Sequence, residues 1–302
     1  MFEIPNINIG EPIHYGSMTV FPLSFQPYRD IDYLLAEEAI KIRIVTVSEI
    51  SDRGSVPELS VENLSNVRVL LLEGEELVGA KQNRIINTSI LLPAMSRINI
   101  PVSCVERGRW SYNSRHFSSE GRHSSSNLRH SLKSSVSDSL NEGSGHYSNQ
   151  NAVWAEIDKR QTELGLTSNT SSMADSFTAY QQELDHYADH FQYAEGTAGL
   201  SIAIGNNLAA IELFDNPATC KMVWKRLLHG FILDIIGSKS TEGPASRSIV
   251  EDMLTTLRTT FWKKTTAVGD GEEFRAKSSD RVQASVLTLG NVLVHGSLLT
   301  GV

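Results

Sequence analysis

The stretch "VRVLLLEGEELVGAKQNRIINTSILLPAMSRINIPVSCVERGRW", residues 67–110, decides how the chain is read. Short apolar and β-branched runs alternate with Gly, Pro and Asn, the signature of strands cut by turns. Working back, "MTVFPLSF" (18–25), "DYLLAEEAI" (32–40), "KIRIVTVSEI" (41–50) and "VPELSVENLS" (56–65) repeat the pattern. Ile42, Ile44 and Thr46 are β-branched and spaced by two. Strands at this spacing predict an antiparallel β-rich unit, sandwich or barrel-like, through residue 110.

Past residue 110 the pattern changes. Residues 111–149 are dominated by Ser, with His, Arg and Asn. Such composition buries little apolar surface and predicts a loop or insert. Within it Arg115/His116, Arg122/His123 and Arg129/His130 recur at seven-residue spacing, either a basic ladder for a phosphate-bearing ligand or a coincidence of biased composition.

Helices follow. "NAVWAEIDKRQTELGL" (151–166) carries Val153, Trp154, Ile157 and Leu164 on one face, with Asn151 as candidate cap and Gly165 as stop. "SSMADSFTAYQQELDHYADHFQYA" (171–194) reads as a second helix, and 198–214 as a hairpin turning at Asn206-Asn207. "DNPATCKMVWKRLLHGFILDIIG" (215–237) is the clearest helix, with Asp215 as candidate cap, Pro217 in the first turn and Gly237 at the end. Another runs from about 246 to 260, and strands return near 261–268, 273–278, 281–289 and 291–298.

Clustered strands, clustered helices and returning strands predict an α+β fold. The expected parts are a β-rich unit (1–110), the serine-rich insert (111–149) and an α+β unit (150–302), joined in one composite globular domain.

A chain of 302 residues with 40% hydrophobic and 21% charged residues is ordinary for a soluble protein. Its net charge of −8 argues against a nucleic-acid partner. No apolar run is long enough to span a bilayer, and the N-terminus lacks the basic-then-apolar pattern of a secretory signal. Two cysteines without CxxC spacing, Cys104 and Cys220, fit a reducing cytoplasm and argue against a structural zinc site.

Functional residue types are densest in 70–89. A strand ends in Glu73, Gly74, Glu75 and Glu76; after Gly79 come Lys81, Gln82, Asn83 and Arg84. The cations suit carboxylate or phosphate, and the amides suit a ribose or base edge. A charged hairpin with exposed alternate residues has the same pattern, and no GxxxxGK[ST] spacing is present. "CVERGRW" is the second cluster. Strand alternation would put Cys104, Glu106 and Gly108 on one face, and Arg107 and Arg109 on the other. A carboxylate beside a thiol raises its pKa, so Cys104 is a weaker candidate nucleophile than Glu106 is an acid, base or arginine-orienting group. Trp110 is placed to stack on a base or a guanidinium. His186 and His190 lie at i, i+4 beside Asp185 and Asp189, but HExxH is absent and no third ligand is evident; a solvated helix face has the same spacing. No metal site is expected, and no cofactor is indicated.

"LLLEGEELVGAKQNRIINTSILLPA" with "INIPVSCVERGRWSY" resembles the bacterial ARG and Rhodanese-Phosphatase-superfamily-associated Protein domain family, ARG being ADP-ribosylglycohydrolase. The segments at 151–166, 198–236 and "ASVLTLGNVLVHGSLL" fall in the family's order, whereas the serine-rich insert matches poorly. The family's name records association with proteins of ADP-ribose and NAD metabolism; its activity is unassigned. The resemblance falls on Glu73, Gly74, Glu75, Gly79, Lys81, Gln82, Asn83, Arg84, Cys104, Glu106, Gly108, Arg109 and Trp110.

Two functions are expected from these readings. In the first, a small anionic nucleotide-like ligand, an NAD or ADP-ribose derivative, is held by Lys81, Arg84 and Arg109 at phosphate and by Gln82 and Asn83 at ribose or base, with Trp110 stacked on a ring. Hydrolysis, if it occurs, uses Glu73 or Glu106 as acid or base. In the second, the charges form a structural network in a non-catalytic module that contacts a partner protein or another copy of itself.

Overall fold

The computed structural model describes residues 3–26, 31–237, 243–279 and 281–301. In chain order the elements are β1 (Ile7–Ile9), β2 (Ile13–Tyr15), β3 (Met18–Phe25), β4 (Tyr33–Leu35), α1 (Ala36–Lys41), β5 (Val45–Glu49), β6 (Glu58–Asn63), β7 (Arg68–Leu71), β8 (Glu75–Gly79), β9 (Arg84–Ile86), β10 (Ile90–Leu92), β11 (Ser96–Cys104) and β12 (Phe117–His123). There follow α2 (Ser126–Asn141), α3 (Gln150–Glu163), α4 (Met173–Ala179), α5 (Gln181–Ala188), β13 (Gly199–Ile204), β14 (Asn207–Phe214), α6 (Pro217–Ile235), α7 (Ser248–Thr259), β15 (Lys263–Thr265), β16 (Glu272–Ser279), β17 (Val282–Leu289) and β18 (Val292–Thr300). The fold is α+β, as the clustering of strands and helices predicts.

The chain divides into two compact units, and elsewhere than at the serine-rich segment. One comprises 1–31, 181–266 and 271–302; the other comprises 32–180 with 267–270.

The first unit is built on one nine-stranded antiparallel sheet, ordered β1-β3-β13-β14-β18-β17-β16-β15 with β2 beside β3. The first strands of the chain therefore pair with C-terminal strands, not with the β-rich segment that follows them. One sheet face is apolar, with Phe21, Leu23, Ile211, Leu213, Val286 and Leu298. Helix α7 covers it with Val250, Leu254 and Leu257, the i, i+4, i+7 spacing of one helical face. The register also lines up polar residues. Arg275 lies opposite Ser285, Ser285 opposite Ser297, and Ser297 opposite Glu212. All of them are buried. The Glu212 carboxylate accepts from Ser297 Oγ at 3.2 Å and lies 3.1 Å from His295 Nε2. The row is set by cross-strand register, which no single strand's composition announces.

The second unit holds a six-stranded sheet, β12-β8-β9-β11-β6-β5, and a three-stranded sheet, β10-β7-β4. All pairs are antiparallel except β4 with β7. Val45, Val47, Leu59, Val61, Val69, Leu71, Leu77, Ile100 and Val102 form the core, and Ala36 and Ala39 of α1 pack into it.

Several expectations are corrected. Residues 36–41 form a helix, not a strand: Ala, Glu and Lys are strong helix formers, and Ala36 and Ala39 are small enough to pack on the core. Ile42, outside it, is exposed. The serine-rich segment is no loop; it contains β12 and α2. Leu128, Leu132 and Val136, four apart, give α2 its buried stripe, and the Ser125 hydroxyl caps it by accepting from Leu128 N at 3.4 Å.

Asn149, not Asn151, caps α3, and Gly165 at φ 63° ends the turn beyond it. The helix expected over 171–194 is two, parted at Tyr180, where φ −112° and ψ 19° leave helical geometry. The hairpin turns at Gly205-Asn206, with the positive φ on Gly205. Asn216, not Asp215, caps α6, accepting from Thr219 N at 3.0 Å. The seven-residue recurrence of Arg-His pairs does not make a ladder: Arg122 lies on β12 and Arg129 on α2, each facing a different glutamate.

Candidate functional site

The two N-terminal motifs meet in the second unit, because β9 lies between β8 and β11. Cys104 is the cross-strand partner of Arg84, and Leu77 is the partner of Arg84 on its other side. The link from β8 to β9 carries Lys81, Gln82 and Asn83. It starts at Gly79, whose φ of 129° favours glycine and where a Cβ would stand 2.9 Å from the His116 carbonyl. Asn83 closes the link, accepting from Gly79 N at 3.1 Å and donating to Glu76 Oε1 at 3.3 Å.

Glu106 and Arg109 face each other rather than opposite ways, since β11 ends at Cys104 and the chain turns through Arg107 and Gly108. Arg109 grips Glu106 with two bonds, Nε to Oε1 at 2.9 Å and Nη2 to Oε2 at 2.5 Å. Its other donors go to the carbonyls of Ala80, Ser111 and Gly79 and to Asn83 Oδ1. Glu106 also accepts from Asn83 N at 3.1 Å and Thr170 Oγ1 at 3.3 Å. Both are occupied in tying the turn to the 79–83 link. Arg107 turns away from Glu106 and pairs with Asp158 at 3.0 Å.

The EGEE turn is likewise internal. Glu73, fully buried, takes Lys133 Nζ at 2.7 Å, with Arg129 at 3.9 Å. Glu75 accepts from Ser119 Oγ at 2.9 Å. Glu76 pairs with Arg122 Nε at 2.7 Å, and Arg122 reaches Glu120 at 2.5 Å. Burial raises the Glu76 carboxyl above its ordinary value of 4.5, outweighing the pull of Arg122. Lys133, Arg129 and Arg122 come from the segment taken as a loop; the four-residue spacing of Leu128, Leu132 and Val136 is the signal that finds the first two, while Arg122 lies on β12.

The remaining motif residues form a different corner. The Lys81 ammonium lies 5.1 Å from the centroids of both the Trp110 and Tyr112 rings and donates to the Asp52 carbonyl at 2.6 Å. The Arg84 guanidinium, fully buried, stands 5.9 Å from the Trp110 centroid. Its Nη1 donates to Gln82 O, Gln82 Oε1 and Asn83 O at 3.1, 3.1 and 3.3 Å. Trp110 and Tyr112 are about half exposed, at 48% and 51%. A groove of about 640 Å3 opens beside this corner, lined by Glu49, Asp52, Arg97, Tyr112, Arg115 and His116 with several serines. Glu49 belongs to neither motif, and Tyr112, which ends the second, was not singled out in it.

Cys104 is buried, and its strand end is held by Gln150. The Gln150 amide accepts from Cys104 N and donates to Cys104 O, both at 2.8 Å. Burial pushes the thiol up, against the Glu106 N–H, the Arg84 charge and the Trp154 indole; the Glu106 carboxylate, expected as the main cause, is a smaller one.

In the first unit, His186 and His190 meet edge-to-face at 5.2 Å, and His190 stacks on Tyr15 at 3.5 Å. Asp185 pairs with Lys225 at 2.7 Å. Among the described residues no three His, Cys, Asp or Glu side chains assemble as a metal site. No helix among them is long and apolar enough to cross a membrane.

No curated protein and no solved structure matches this chain. The family's sequence model matches residues 6–299, so the chain belongs to the ARG and Rhodanese-Phosphatase-superfamily-associated Protein domain family.

Proposed function

We propose that this protein recognises a small anionic, nucleotide-like ligand, an ADP-ribose or NAD derivative, in the groove beside Lys81 and Tyr112. The observation that carries the reading is Lys81 itself. Its charge is set against two half-exposed rings at the edge of a groove that also presents Arg97, Arg115 and His116. Cations for phosphate and an exposed ring for a base are the two elements of nucleotide recognition. The family's name, with its link to ADP-ribosylglycohydrolase, agrees in context.

A hydrolytic step in this groove would fall to Glu49. Glu49 lines the groove and its Oε2 receives no hydrogen bond among the described residues, whereas Glu73 and Glu106 lie outside the lining and are paired with Lys133 and Arg109. The second reading, a module whose charges only hold the fold, is favoured for Glu73, Glu106 and Arg109 by that same pairing.

Titration calorimetry with ADP-ribose and NAD tests the reading. Folded protein is expected to bind at least one of them. Lys81→Ala and Tyr112→Ala are expected to weaken binding about tenfold or more while melting like the parent. No heat with either ligand, or full affinity in both variants, overturns it.

A further inference from the structure

We propose that the side-on edge of Arg84 is a receptor for one phosphate group, reached beneath the Trp110 ring. This deepens the reading above by naming the atoms that would anchor the ligand, and it rests on that reading for the ligand's class.

Arginine presents two edges. Nη1 of Arg84 is used by Gln82 and Asn83. Its Nε and Nη2 are buried, and among the described residues neither has a hydrogen-bond partner. These two nitrogens point their hydrogens the same way, as the fork that takes two oxygens of a phosphate or carboxylate side-on. Leaving charged donors unmade inside a protein is costly, and the groups nearby do not relieve it. The cross-strand partner is a thiol, a weak acceptor. Glu106 is gripped by Arg109, and Glu49 attracts Arg84 from beyond hydrogen-bond reach.

Access and charge fit the same group. Trp110 lies over both Arg84 and Lys81, yet its ring is half exposed, so it is a cover with solvent on its outer side. Two positive charges under one ring favour a doubly charged phosphate over a singly charged carboxylate. A rotamer change of Trp110 leaves in place the strands that hold Arg84 and Cys104 in register.

The test is NMR of the arginine Nε–Hε signals in the whole protein, titrated with inorganic phosphate and, separately, acetate. The Arg84 signal is assigned by its loss in Arg84→Lys. Phosphate is expected to shift it saturably and acetate only weakly, and Arg84→Lys is expected to bind phosphate about tenfold more weakly or worse. An Arg84 signal unmoved by phosphate overturns the receptor, as does one moved equally by acetate. If Arg84→Lys folds poorly, the wild-type titration still decides, with Trp110→Ala expected to keep the phosphate shift. ADP-ribose binding undiminished in folded Arg84→Lys overturns the receptor and spares the proposed function. A phosphate shift at Arg84 in a protein that binds neither ADP-ribose nor NAD does the reverse.

Discussion

Within one unit, two groups of charges from the same short stretch of sequence end differently. Around Glu73, Glu76 and Glu106 every carboxylate meets a cation, and Glu76 and Glu106 accept from further donors. At Lys81 and Arg84 the cations meet carbonyls, rings and a thiol instead. A saturated buried pair has nothing left with which to bind, and its removal strands its partner. A cation held by neutral groups keeps its charge available. Burial even pulls the Arg84 guanidinium below its ordinary value, without removing its charge near neutrality. The difference separates residues that hold the fold from residues that can hold a ligand, and each half of it can be broken by substitution.

The largest effect is expected at Glu106. Glu106→Ala leaves Arg109 without its bidentate partner and frees the 79–83 link, for a loss of about 3–5 kcal/mol in urea unfolding. Near-parental stability in that variant would move Glu106 to the ligand-holding group. Gly74→Ala comes next. With φ at 83° and Arg129 Cγ and Ser124 Oγ each 2.9 Å from the added Cβ, it is expected to cost about 1–3 kcal/mol by the same measurement. A neutral result would mean that α2 yields easily there.

Glu76 sharpens the comparison through pH. Its folded-state pKa lies above its ordinary 4.5, so the folded protein binds the proton more tightly than the unfolded chain. Its contribution to stability therefore falls as pH rises from about 4.5 through the folded pKa. Glu76→Gln is expected to cost less than Glu106→Ala, and its cost is expected to shrink as pH rises above the ordinary 4.5. A cost that grows over that range would show that Arg122 outweighs burial. The smallest stability change belongs to Lys81→Ala and Tyr112→Ala, each within about 1 kcal/mol of the parent in thermal melts. Loss of stability matching that of Glu106→Ala would erase the distinction between the two groups.

These distinctions were only partly legible in the sequence. Alternation and turn residues located most of the strands, and Pro217 and Gly237 bracketed α6 closely. What stayed hidden depended on partners far along the chain. Composition marked 111–149 as unable to bury apolar surface, but three apolar residues at helical spacing suffice when the same helix also delivers Lys133 and Arg129 to a buried glutamate. Strand alternation put Glu106 and Arg109 on opposite faces because it assumed that β11 continued past Cys104. Lys81, Arg84 and Trp110 were brought together by pairing between β9 and β11, which no local pattern specifies.

Gln150 carries a mechanical consequence. A primary amide has the same donor and acceptor as a peptide group, so this side chain adds one rung to the ladder at Cys104 without adding a strand. Gln150 is also the first residue of the 14-residue α3. The strand end beside Arg84 and the start of α3 are thereby tied through two bonds to the Cys104 backbone. Asparagine is one methylene shorter, so Gln150→Asn is expected to lose at least one of the two bonds and free the strand end from the start of α3.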